Sequence, residues 1–148
     1  MNGSTLLETW LSAGTGIDSL WSMYIVVHLG LFWFFFLVHR PLMIAERLLA
    51  VLAYIGFTVI NGAALINAYI FYEAIRRDLI GRFAREFASA PETLNVLNAT
   101  SYAGHDKIIW LTHGGGLVVV LFLFSFRNAM IKRYFELYPD QIGKSLID

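Results

Sequence analysis

Cysteine is absent from the chain, which excludes disulfides, thiolate-held metals and cysteine nucleophiles. Charge is scarce as well. Of 148 residues, 15% are Asp, Glu, Lys or Arg, against about a quarter in an ordinary soluble domain. So little charge leaves too little polar surface to cover a globule in water. The 11 basic and 11 acidic residues cancel, so the chain carries no electrostatic footprint for nucleic acid. A cleavable signal is not expected either: Met1 to Asp18 holds no Lys or Arg, and the first apolar run is long enough to span a membrane by itself. No phosphate loop, hydrolase elbow or paired acid/base carboxylates appear.

What fills the chain instead is apolar: 57% hydrophobic residues, with 16% aromatic. Three runs contain no Asp, Glu, Lys or Arg: Ser19–Val38, Leu48–Tyr72 and Ile108–Phe126. Each is close to the ~20 residues a helix needs to cross ~30 Å of hydrocarbon. Three such runs cannot all be buried in one small soluble core. The expected fold is therefore an all-α membrane protein, a single integral membrane domain over residues 1–148. It has three transmembrane helices, an extramembrane segment 73–106 and a C-terminal tail 127–148.

Local signals refine this outline. Leu6, Leu7, Trp10 and Leu11 recur at helical spacing, which suggests a short helix on the membrane surface before the first span. His39-Arg40-Pro41 marks a turn, with Pro41 suited to the first turn of the second helix. Beyond Tyr72, Ile75, Leu79, Phe83 and Phe87 fall four apart, while Arg76, Arg77, Arg82, Arg85 and Glu86 occupy the remaining surface. This is the pattern of an amphipathic helix. Ser89-Ala90-Pro91-Glu92 reads as a helix start with a Glu three residues on, followed by a short helix to about Asn98. The third long helix is expected to continue past Phe126 into the cationic stretch that starts at Arg127.

Orientation follows from the first helix. The segment before it has no Lys or Arg and the turn after it has Arg40 and Arg47, so the positive-inside rule favours the N-terminus outside and the C-terminus inside. Trp10, Trp21, Tyr69, Tyr72 and Trp110 then fall near the outer interface.

A polar side chain inside a spanning helix is costly and is a functional-site hypothesis by default. His28, Asn61 and His113 reach similar depths on the three helices at 1.5 Å per residue. His28 shares a stripe with Trp21, Tyr24, Phe35 and His39, and His113 shares one with Asp106, Val120 and Phe124. Gly114, Gly115 and Gly116 remove bulk beside the imidazole of His113. Gly62, Ala64 and Ala68 give the second helix a small face that another backbone could approach. Three roles compete for the polar cluster. The groups can hydrogen-bond one another or nearby carbonyls as glue between helices. His28 and His113 can ligate a haem b edge-on. Or the histidines can line a proton or ion path. Zinc is poorly served by two imidazoles with no third ligand.

In size and three-span layout the chain resembles the membrane-anchor subunits of succinate dehydrogenases and fumarate reductases, which hold haem or quinone between helices. The resemblance is one of architecture without a shared motif, and no family is assigned. Three helices enclose neither a wide water path nor an ordinary substrate cavity, and helix one carries Phe32, Trp33, Phe34, Phe35 and Phe36 around its circumference. The reading is a small non-catalytic membrane subunit, at home in the lipid bilayer and partnered by itself or by a larger membrane complex. A haem- or quinone-binding electron-transfer subunit and a homo-oligomeric channel are the alternatives.

Overall fold

The computed structural model describes residues 3–37, 41–86 and 91–139, without the side chains of 36, 37 and 84–86. It contains four helices in these residues: α1 Gly3–Leu37, α2 Ile44–Glu86, α3 Pro91–Ala99 and α4 His105–Leu137. The protein is an all-helical, multi-pass integral membrane protein. Its α1, α2 and α4 are each long and apolar enough to span, and the short α3 lies between the second and third spans. At 1.5 Å per residue the 43 residues of α2 reach about 65 Å, twice the ~30 Å of hydrocarbon. About 21 Å of the surplus is the charged extension beyond Tyr72.

Two boundaries differ from the sequence reading. The N-terminal segment is no separate surface helix: α1 starts at Gly3 and runs unbroken through it. Tertiary packing outweighs the helix-weakening effect of Gly14 and Gly16. The second helix begins at Ile44, three residues after Pro41. The backbone N–H of Met43 donates to the Glu46 carboxylate at 2.8 Å, satisfying a donor that the helix start would leave orphaned. The expected turn at His39-Arg40, and Ser89 and Phe87, lie outside the described residues.

The helices make their contacts in two units. The first is Met1–Met23 with Asn61–Leu111, and the second is Tyr24–Ile60 with Thr112–Asp148.

In the first unit, Leu6, Ile75, Leu79 and Leu97 form one apolar cluster, packed by Trp10, Ala13, Ile80 and Phe83. The amphipathic stripe beyond Tyr72 is thus buried against the start of α1 and against α3. Ile17, Leu65, Tyr72 and Ile109 form a second cluster, against which Ala68 packs. The rings of Trp10 and Tyr72 lie 5.0 Å apart. Trp21 donates its indole N–H to the Tyr69 hydroxyl at 3.0 Å.

In the second unit the core is Leu42, Tyr54, Val120 and Phe124. Asn128 of α4 also ties down the chain entering α2. Asn128 accepts from the Leu42 N–H at 3.2 Å and donates to the Leu42 carbonyl at 3.1 Å. Arg127, 4% exposed, sits over the Phe34 ring at 5.8 Å from its centroid.

Candidate functional site

Membrane helices have no water to satisfy polar side chains, so each polar atom there must find a protein partner. In the second unit, His28 of α1 does this with both ring nitrogens. Nδ1 lies 2.7 Å from the Tyr24 carbonyl one turn back, and Nε2 lies 2.5 Å from the Tyr54 hydroxyl of α2. A carbonyl can only accept, so Nδ1 carries the proton. In the neutral ring, Nε2 then accepts the Tyr54 O–H. Thr58, buried one turn on from Tyr54, returns its own hydroxyl to the Tyr54 carbonyl at 2.8 Å.

Tyr24 ties the cluster to α4. Its hydroxyl donates to the Thr112 carbonyl at 2.9 Å. Its ring touches both imidazoles, with centroids 4.1 Å from His28 and 4.3 Å from His113. His113 is fully buried. The two histidines therefore meet through a shared phenol.

The three glycines of α4 separate in role. A Cβ on Gly116 would lie 2.6 Å from the Tyr24 hydroxyl, 2.8 Å from His28 Nε2 and 3.1 Å from the Tyr54 hydroxyl. The first two approaches are closer than a Cβ contact allows, so a side chain at 116 would push the Tyr24 and His28 side chains aside, and the polar cluster packs on bare backbone at Gly116. A Cβ on Gly114 or Gly115 would meet nothing within 4 Å. Gly116 thus faces His28 and the two tyrosines.

The haem reading does not fit this arrangement. An axial imidazole needs a free nitrogen aimed at iron, and His28 Nε2 is engaged by Tyr54. The Tyr24 ring packs on both imidazoles, in the space a macrocycle between them would need. Among the described residues no group of three His, Asp or Glu side chains is placed to hold a metal ion.

Asn61, on α2 in the first unit, is 1% exposed and donates its amide to the Leu20 carbonyl of α1 at 3.3 Å. Gly62 beside it is buried, and Ala64 and Ala68 are half-buried.

The first unit also holds a polar centre that the sequence reading placed on the surface. Arg76 is 7% exposed. It is buried because Glu73, one turn earlier, receives it through two nitrogens, Nε at 2.8 Å and Nη2 at 2.6 Å. Its Nη1 donates to the Leu97 carbonyl near the end of α3 at 2.5 Å. Glu73 further accepts from Arg77 at 3.3 Å, and from the Ser101 hydroxyl and the Tyr102 N–H at 3.4 Å each. This pair pins α3 and the following loop to the extension of α2. Glu73 is the first charged residue after the uncharged run, and its bonds to Arg76 hold its carboxyl well below the usual carboxylate range, at about 2.

Two signals for these residues were readable. Tyr54, Thr58, Asn61 and Leu65 follow at three- and four-residue steps and are all buried, so Tyr54 lies on the same α2 face as Asn61. Glu73 and Arg76 are an i,i+3 pair of opposite sign.

No family model matches this chain, and no curated protein or solved structure matches it either.

Proposed function

We propose that the protein is a small non-catalytic membrane subunit that works in a homo-oligomer or beside a larger membrane complex. The observation carrying this reading is the open backbone at Gly114 and Gly115 in α4, where an added Cβ has no atom of another helix within 4 Å among the described residues. A glycine inside a helix costs about 0.5–1 kcal/mol relative to alanine. Gly116 faces Tyr24 and His28, whereas Gly114 and Gly115 face no other described helix within 4 Å. Small residues on a membrane helix let a second helix approach closely. Exposed Phe32 and Trp33 on α1 supply apolar surface for the same purpose or for lipid.

His28, Asn61 and His113 act in this account as glue. His28 and Asn61 bond to groups on their own unit, which fixes helix rotation. Each such bond contributes about 0.6–2 kcal/mol in a membrane. The N-terminus is placed outside and the C-terminus inside, on the absence of Lys and Arg before the first span.

The test is purification in a mild detergent followed by a visible spectrum and identification of co-purifying chains. The expected result is colourless protein that elutes with itself or a membrane partner. A Soret band lost in His28→Leu or His113→Leu selects the electron-transfer alternative instead. Ion conductance in liposomes selects the channel.

A further inference from the structure

Beside the Glu73–Arg76 pair the first unit carries an open cavity of about 510 Å³. One wall is aromatic. Tyr69, Tyr102 and His105 line it, and their rings contact one another, with centroids 5.1 Å apart for Tyr69–Tyr102, 5.5 Å for Tyr69–His105 and 4.7 Å for Tyr102–His105. Glu73, Arg77 and Asp106 also line it. Arg76 neutralises Glu73 through the paired bonds described above. Arg77 bonds Glu73 through Nε at 3.3 Å while its side chain stays 67% exposed, and Asp106 is exposed, so these two side chains are the charges that the described lining offers a ligand.

The cavity also has a defined depth. Glu73 follows directly on the uncharged run of α2, and Ile108 begins that of α4, so the charged rim lies at the level of lipid headgroups. Ile66 and Ile70, which line the same cavity, stand one to two turns back along α2 toward the hydrocarbon.

We propose that this cavity binds the zwitterionic headgroup of a phospholipid. The ammonium group packs on the aromatic wall, where tyrosine faces attract a cation, and is balanced by Asp106. The phosphate pairs with Arg77. The upper acyl chains run over Ile66 and Ile70. An anionic headgroup meets Arg77 equally well but leaves Asp106 and the aromatic wall without a cation. The proposal goes beyond assembly, and the result of its test does not depend on oligomeric state.

The experiment is native mass spectrometry of delipidated protein titrated with dioleoyl-phosphatidylcholine, dioleoyl-phosphatidylglycerol or free phosphocholine. The wild type is expected to retain phosphatidylcholine at about five-fold lower concentration than phosphatidylglycerol. Asp106→Asn should abolish that preference, and Arg77→Gln should weaken both lipids several-fold. Both side chains are exposed, and an unchanged helical circular dichroism spectrum confirms that each variant folds. Equal or tighter binding of phosphatidylglycerol overturns the proposal, as does wild-type behaviour in both variants. Free phosphocholine binding as tightly as the lipid overturns the assignment to a phospholipid.

Discussion

The Tyr54 hydroxyl lies 2.5 Å from His28 Nε2, joining α1 to α2 through two polar groups that lipid could not satisfy. Tyr54→Phe keeps the ring and its packing but leaves Nε2 without its donor. The expected effect is a loss of about 1–2 kcal/mol, measured by reversible unfolding in mixed micelles. A Tyr54→Phe protein as stable as the wild type would show that the bond contributes nothing.

The glycines of α4 give a sharper contrast. Gly116→Ala forces a methyl group onto the Tyr24, His28 and Tyr54 polar atoms and should destabilise the fold by about 1–3 kcal/mol, the usual range for overpacking. Gly115→Ala places its methyl more than 4 Å from every other described helix. It should leave the protomer as stable or slightly more so while weakening assembly, read as a shift to lower mass on dilution. Equal destabilisation by the two substitutions would contradict the division of roles.

Much of this architecture was legible in the sequence because membrane spans are written in composition. The absence of charge from Ser19–Val38, Leu48–Tyr72 and Ile108–Phe126 locates them without knowledge of any contact, and Ile75, Leu79 and Phe83 announce the extension of α2 by spacing alone. The pairing of side chains was not legible. Periodicity puts Tyr54 on a face of α2 but does not say that His28 of α1 meets it. Arg76 reads as a surface charge until the chain is folded, because its burial depends on Glu73 accepting it and on Leu97 arriving from α3. Similarly, Leu6, Leu7, Trp10 and Leu11 read as a separate surface helix, while in the fold this stretch continues α1 and Leu6 packs with Ile75 and Leu79.

Acid should act first on the extramembrane part of the molecule. Glu73 titrates at about 2 in the folded protein, below the ~4.3 of an unperturbed glutamate. A depressed carboxylate pKa contributes stability that is fully present above the unfolded value and is lost as pH falls toward the folded one. Protection of the α3 amides from hydrogen exchange should therefore decline between about pH 4.5 and 2. Glu73→Gln should show reduced protection already at pH 7, since it leaves Arg76 buried without its counter-charge. Exchange of α3 independent of pH across this window would contradict the role given to the pair.

Single cysteines introduced into this cysteine-free chain test the spans. Asn61→Cys and Val120→Cys should resist a membrane-impermeant thiol reagent, while Ser12→Cys, on an exposed position of α1, should react from the outside of intact cells. Free labelling at position 61 or 120 would break the span assignment. Labelling at position 12 only after permeabilisation would reverse the orientation.

The central claim, that the protein works as a subunit and not alone, is tested most directly by its detergent-corrected mass after extraction in a mild detergent. The account predicts a particle of two or more protomers, or one protomer bound to a larger membrane partner. A stable particle of one protomer with no bound partner, unchanged across concentration, would contradict it.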